Sequence, residues 1–240
     1  MRRYVLIFIV TLLSAGIIVY FALPAYYRNL LGRNEKIVYE NNIGYFTKTN
    51  GKSLQIYNGS GWEDFKIKGV KITSSLPGHE YGEQAIKKDI YLRWMKQIFE
   101  MNATVILADE IQSPEFYNAF YEFNRYNAGS LYLIQGINID DEVVSQFYDG
   151  HNKAIKDKFK NDIRQAINVI HGKSFSINKR ELKPYIYNKD ISRYVIGYIF
   201  GSSLDPEFVK LTNLKNTDIS SYTGKYIRTE NADAFQCLMG

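Results

Sequence analysis

The sequence contains little of what metal sites and disulfide frameworks require. It has 1 cysteine and 3 histidines among 240 residues. Because Cys237 is alone, it forms no internal disulfide, and nothing in the fold depends on an oxidising compartment. His151 and His171 have no acidic or cysteine partners at metal-ligand spacing. The sequence therefore predicts no metal site and no other cofactor.

Glycine-rich phosphate loops and clustered basic residues are also missing from the sequence. Neither Gly-x-Gly-x-x-Gly nor Gly-Lys-Ser/Thr follows the first strand predicted in the main domain, which excludes the usual nucleotide-binding α/β folds. The net charge is +5, and acidic residues, Asp157 and Asp162, interrupt the densest basic stretch, 153–164. Nucleic acid binding usually needs a clustered basic face, so we expect no nucleic acid partner.

A long apolar run occurs at the N-terminus. After Arg2 and Arg3, residues 4–23 carry no charge. A helix of that length spans about 30 Å, the thickness of bilayer hydrocarbon. A cleavable signal peptide ending near Ala25 is the alternative, but its apolar region would be only about 7 to 15 residues long. We therefore predict a signal anchor at residues 1–30 and a single-pass membrane protein. Because basic residues flank both ends of the span, its sidedness stays open.

Residues 31–67 are predicted to form a small β meander. Asn50-Gly51 lies between the apolar segments 43–47 and 54–57, and this dipeptide favours a two-residue hairpin turn. The rest of the chain, 68–240, is predicted to be the main domain.

In the main domain, apolar segments of strand length alternate with helical stripes. We expect strands at 70–73, 103–108, 131–137 and 194–200, a long helix at 141–170, and a loop before the fourth strand. Ser113-Pro114 and Asp205-Pro206 are typical helix starts. Strands joined by helical crossovers predict a parallel sheet, either doubly wound or part of a barrel.

Polar side chains follow these strands, where parallel α/β folds and barrels build their sites. The residues predicted to bind substrate are His79, Glu80, Glu83, Asp109, Glu110 and Asn138. The alternative for His79 is a local hydrogen-bonding role. The alternative for Asp109 and Glu110 is that they are simply solvated residues of a loop.

Several segments, in order along the chain, resemble one protein family. They are Lys68-Gly69-Val70-Lys71, Leu76-Pro77-Gly78-His79-Glu80-Tyr81-Gly82-Glu83, Asp89-Ile90-Tyr91-Leu92-Arg93-Trp94, Pro114-Glu115-Phe116-Tyr117, Leu131-Tyr132-Leu133-Ile134-Gln135-Gly136, and Gly197-Tyr198-Ile199-Phe200-Gly201 with Asp205-Pro206-Glu207-Phe208. Together they resemble bacterial membrane-anchored proteins with a glycoside-hydrolase-like (β/α)8 barrel of the β-galactosidase and β-mannanase type. The resemblance implies an extracytoplasmic domain and a fold that is the first half of a TIM-type barrel.

The same resemblance implies two catalytic glutamates, an acid/base after the fourth strand and a nucleophile after the seventh. Retaining glycosidases hold these carboxyl groups about 5 to 5.5 Å apart. Ser203 occupies the expected acid/base position, and Leu107 stands where relatives often have arginine. The half of the barrel that carries the nucleophile is expected to be absent. Asp205 is either a substituted catalytic carboxylate or, as its neighbours favour, a helix cap.

These observations predict a membrane-anchored, glycoside-hydrolase-like protein that acts on or binds extracytoplasmic polysaccharide and is truncated or catalytically degenerate. The alternative is a non-enzymatic scaffold or glycan-binding component of a cell-surface polysaccharide assembly. A true hydrolase whose barrel is completed by a second chain is a further possibility. Whether the chain is active stays open.

Overall fold

The computed structural model describes residues 37–41, 43–73, 86–127, 131–139, 141–178, 183–201, 204–225 and 227–239. The chain divides into two compact units. The first comprises Met1–Lys66 with Arg125–Gly129, and the second comprises Ile67–Asn124 with Ser130–Gly240.

The first unit contains short antiparallel strands. They are β1 (Val38–Glu40), β2 (Ile43–Tyr45), β3 (Thr47–Asn50), β4 (Ser53–Tyr57) and β5 (Trp62–Asp64). β1 pairs with β2, and β3, β4 and β5 form a meander. Asn50 pairs with Ser53, so the turn residues are Gly51 and Lys52, one position later than the Asn50-Gly51 turn predicted. Gly51 has a φ of +60°, a conformation that glycine adopts without steric cost.

The second unit alternates strands and helices. Its elements are β6 (Gly69–Ile72), α1 (Lys88–Glu100), β7 (Val105–Ala108), α2 (Pro114–Tyr126), β8 (Tyr132–Ile137), α3 (Asp141–Phe147), α4 (Lys153–Ile170), β9 (Ser174–Asn178), β10 (Lys183–Tyr187), a 3₁₀ turn (Ser192–Tyr194), β11 (Val195–Phe200), α5 (Pro206–Lys215), β12 (Ser221–Thr223), β13 (Arg228–Glu230) and α6 (Ala234–Met239).

Four of these strands form a parallel sheet. Their order is β11-β8-β7-β6, and each pair of neighbours is parallel. The predicted α/β class with parallel strands is therefore confirmed. β7 and β8 are uncharged and largely buried, as expected for inner strands that have neighbours on both sides.

The core is built around aromatic side chains of α1 and α2. Tyr91, Phe116 and Phe120 are fully buried, and Phe116 stacks on Phe120 with ring centroids 5.9 Å apart. A second apolar cluster contains Ile155 and Phe159 of α4. Burial of these apolar helix faces against the sheet contributes more to the stability of the helices than their helix propensity does.

The predictions of a transmembrane helix and of single-pass membrane localisation are corrected. The predicted span, 1–30, lies outside the described residues. Among the helices that are described, none has both the length and the apolar character that a bilayer crossing needs. The three longest, α1, α2 and α4, instead bury one apolar face each in the protein core.

The prediction of a half TIM-type barrel is also wrong. A barrel requires regular alternation of one strand and one helix. Between β8 and β11 the chain inserts two helices and the antiparallel β9–β10 hairpin, and a second hairpin, β12–β13, follows α5. In the described ranges the parallel strands form a four-stranded sheet that does not close.

The long helix predicted at 141–170 is two helices. The chain breaks at Tyr148, which has a φ of +43°, and the second helix starts afresh at Asn152. The Asn152 side chain caps α4 by accepting a hydrogen bond of 2.8 Å from the backbone N–H of Ala154.

The β9–β10 hairpin occupies the segment predicted to be a loop. Phe175 lies opposite Ile186, and Ile177 lies opposite Pro184. This face is solvent-exposed, with Phe175 65% exposed, whereas Tyr187 on the other face is buried. The hairpin thus presents apolar side chains outward, the reverse of the usual pattern.

Replacing Phe120 by alanine should lower the free energy of unfolding by about 3 to 5 kcal/mol, because the ring is fully buried and leaves a cavity. Urea denaturation of the full chain measures this loss. Leu214→Ala is the control: Leu214 is 62% exposed, and we expect a change of about 0.5 kcal/mol or less. Equal losses in both variants would contradict this core assignment.

Candidate functional site at the carboxyl edge of the sheet

An ion pair joins the ends of two neighbouring strands. Lys71 of β6 and Asp109, the residue after β7, form a salt bridge. The parallel register places Lys71 beside Leu107 and Ile72 beside Ala108, so the two side chains meet at the carboxyl edge. The Asp109 side chain is only 17% exposed. Its carboxylate is therefore held in a partly desolvated position, where a charged partner matters most.

The backbone of Asp109 lies against β8. Asn138, which follows β8, donates a hydrogen bond of 3.2 Å from its side-chain nitrogen to the Asp109 carbonyl oxygen. A Cβ atom added at Gly136 would lie 2.2 Å from that same carbonyl oxygen. Close backbone approach therefore requires glycine at position 136. Glu110 follows Asp109 directly, so three predicted site residues lie together at the ends of β7 and β8.

A buried polar network supports the loop after β7. The Tyr117 hydroxyl donates to Gln135 Oε1 at 2.9 Å and accepts from the Gln112 backbone N–H at 3.2 Å. Gln135 Nε2 donates to the Gly136 carbonyl at 2.8 Å. The Tyr187 hydroxyl of β10 donates to the Gln112 carbonyl at 3.1 Å. These bonds fix the loop that carries Asp109, because buried polar groups lose free energy when unpaired.

Burial also changes the acidity of the tyrosines around this network. It raises the pKa of Tyr91 to about 12. It raises the pKa of Tyr117 and of Tyr187 as well, since a phenolate would be desolvated there. All three hydroxyls are therefore neutral at physiological pH, and those of Tyr117 and Tyr187 donate hydrogen bonds.

Asp205 has a structural role at the start of α5. Its carboxylate accepts a hydrogen bond of 2.9 Å from the backbone N–H of Glu207, and Pro206 opens α5. This is the helix-cap geometry that its neighbours favoured. The remaining predicted site residues, His79, Glu80, Glu83 and Ser203, lie outside the described residues.

Sequence reasoning missed three residues that shape this edge. Lys71, Gln112 and Gln135 were not singled out, although Gln135 is a polar residue within an uncharged apolar strand and is fully buried. A polar residue in that position signals a required hydrogen-bond partner. Lys71 gave no comparable signal, since its partner is defined only by the pairing of β6 with β7.

The side chains at this edge can form hydrogen bonds and ion pairs with a polar group. Lys71 offers an ammonium group, Asp109 a carboxylate, and Asn138 an amide, which together suit hydrogen bonding to a polar ligand. Across the described ranges, no group of three or more His, Cys, Asp and Glu side chains is placed to hold a metal ion. The absence of a metal or cofactor stays a prediction.

Together, the fold and this edge define an α/β protein with polar groups at the carboxyl ends of parallel strands, where such folds bind ligands. No family model matches the chain, and no curated protein or solved structure is significantly similar to it. The resemblance to glycoside-hydrolase-like proteins therefore stays a prediction.

Gly136→Ala should destabilise the protein by about 1 to 3 kcal/mol or more, because the new methyl group collides with the Asp109 backbone. Gly197→Ala is the matched control, since a Cβ there meets no atom within 4 Å. Denaturant midpoints of the two variants measure the difference. A midpoint for Gly136→Ala equal to that of Gly197→Ala would show that the two strand ends are not in close contact.

Stability should fall at alkaline pH as the buried tyrosines ionise. Their pKa in the folded protein exceeds the unfolded value of about 10, so this contribution is complete below about pH 10. For Tyr91 it is lost as the pH rises from there through a folded pKa of about 12. Ultraviolet absorbance of phenolate should show a late class of tyrosines that a Tyr91→Phe variant reduces. Ionisation of every tyrosine near the unfolded value would contradict the buried network.

Proposed function

We propose that this chain is a glycoside-hydrolase-like protein that binds polysaccharide without hydrolysing it. The observation that carries the proposal is the edge formed by Lys71, Asp109 and Asn138 at the ends of three adjacent parallel strands. Strand ends of this kind are where α/β proteins bind ligands. The carbohydrate class comes from the resemblance in sequence, which is an argument by analogy.

The state of the carboxylates favours binding over hydrolysis. Asp109 pairs with Lys71, and Asp205 caps α5. Hydrolysis with retention needs one carboxyl group as acid/base and a second as nucleophile. By resemblance the acid/base position is Ser203, whose hydroxyl is too weak an acid for this role. Loss of general acid catalysis alone lowers the rate of hydrolysis by about 10²- to 10⁴-fold.

Sugar hydroxyl groups suit the groups at this edge. A hydroxyl donates to the Asp109 carboxylate and accepts from the Lys71 ammonium, and both hydrogen bonds are strengthened by charge. Because Lys71 is about half exposed while Asp109 is mostly buried, the ammonium is the more accessible of the two groups. The Asn138 side-chain nitrogen donates to the Asp109 backbone and so holds this end of the edge in place.

Binding can be measured by calorimetry with soluble galactan and galactomannan. Asp109→Asn should weaken binding by about tenfold to a hundredfold, the value of one hydrogen bond to a charged group. Asp205→Asn is the control, because asparagine still caps a helix while removing the same charge. The control should bind like the wild type.

A reducing-end assay on the same polysaccharides separates binding from catalysis. We expect no release of sugar above the buffer rate. Hydrolysis that is lost on Asp109→Asn would overturn the non-hydrolytic assignment. Absence of binding to either polysaccharide would remove the carbohydrate part of the proposal.

A further inference from the structure

Among the described residues, the last strand on one side of the parallel sheet lacks the usual protection of an edge. β11 has the sequence Val-Ile-Gly-Tyr-Ile-Phe, with no charge and no proline. Edge strands normally carry lysine, proline or inward charges that prevent pairing with other chains. The opposite edge strand, β6, does contain a lysine, Lys71. β11 therefore has the composition of an inner strand in an edge position.

The second half of β11 is open to solvent. Tyr198 is 38% exposed and Phe200 is 41% exposed, whereas Val195 is buried. A Cβ added at Gly197 would meet no atom within 4 Å, so the face of the sheet is open at this residue. A register shift lies between Val195 and Gly197, and from Gly197 to Phe200 the pairing with β8 is regular. In the described ranges, no strand pairs with Gly197–Phe200 on the side away from β8.

We infer that β11 of a second copy of this chain pairs antiparallel with this edge. A strand edge presents alternating N–H and C=O groups, which another strand satisfies by β-augmentation. A strand that meets its own copy antiparallel across a two-fold axis forms a self-complementary contact. The inference is independent of the proposed polysaccharide binding.

Charge supports the antiparallel arrangement. Within β11 no like charges meet, because the strand has none. Exposed Arg193 lies just before the strand, and exposed Asp205 lies just after it. Antiparallel pairing brings the basic end of one strand toward the acidic end of its partner, while parallel pairing would bring like charges together.

Pairing would also cover aromatic surface. Tyr198 and Phe200 are two residues apart and therefore lie on the same face of the sheet. Phe200 already packs edge-on against Phe159 of α4, with ring centroids 6.0 Å apart. A second strand in the same plane would extend this face, so that both copies remove Tyr198 and Phe200 from water together.

Sedimentation equilibrium of the full chain over a range of concentrations tests the inference. The wild type should be a dimer at high concentration, and Tyr198→Lys should raise its dissociation constant at least about tenfold. Tyr222→Lys is the matched control, because Tyr222 lies on β12 and is also 38% exposed. The control should dimerise like the wild type.

Hydrogen exchange tests the inference on the wild type alone, so the result does not depend on whether the variant folds. Backbone amides in Gly197–Phe200 should become more protected as protein concentration rises, while those of Ser221–Thr223 should not change. A monomer at every concentration would overturn the inference. So would a dimer that Tyr198→Lys leaves intact, or one without added protection at Gly197–Phe200.

Discussion

The close approach of the Asp109 backbone to Gly136 is the constraint on which the candidate site depends. A carbonyl oxygen that lies 2.2 Å from where a Cβ would be leaves no room for any side chain. The contact brings the end of β7 against β8, so that Asn138 reaches the Asp109 backbone while the Asp109 carboxylate turns toward Lys71. One glycine thereby determines where a carboxylate, an ammonium and an amide meet.

Hydrogen bonds between buried polar groups fix the position of the loop after β7. Tyr117 and Gln135 link α2 to β8, and Tyr187 links the β9–β10 hairpin to the loop after β7. Hydrogen bonds in a low-dielectric interior are directional and costly to break, so they specify one loop position where apolar packing alone would tolerate several. The hairpin and the loop are therefore coupled, although they are far apart along the chain.

The sequence predicted those features that depend on local pattern. The strands expected at 70–73, 131–137 and 194–200 lie within one residue of β6, β8 and β11. The second and third are largely apolar runs, and the first alternates apolar and polar residues, both of which are strand patterns. Features that depend on contacts distant in sequence were not predictable. The Lys71–Asp109 pair arises from the register of two strands. The break at Tyr148 was hidden because apolar residues continue at helical spacing on both sides of it.

The outward apolar face of the β9–β10 hairpin raises the question of what fixes the orientation of the hairpin. Turning the whole hairpin over would bring Phe175 and Ile177 inward and expose Tyr187, and burial of apolar surface alone would favour that exchange. The bond from the Tyr187 hydroxyl to the Gln112 carbonyl opposes it. The hydrogen bond of one tyrosine thus keeps the apolar face of the hairpin toward solvent.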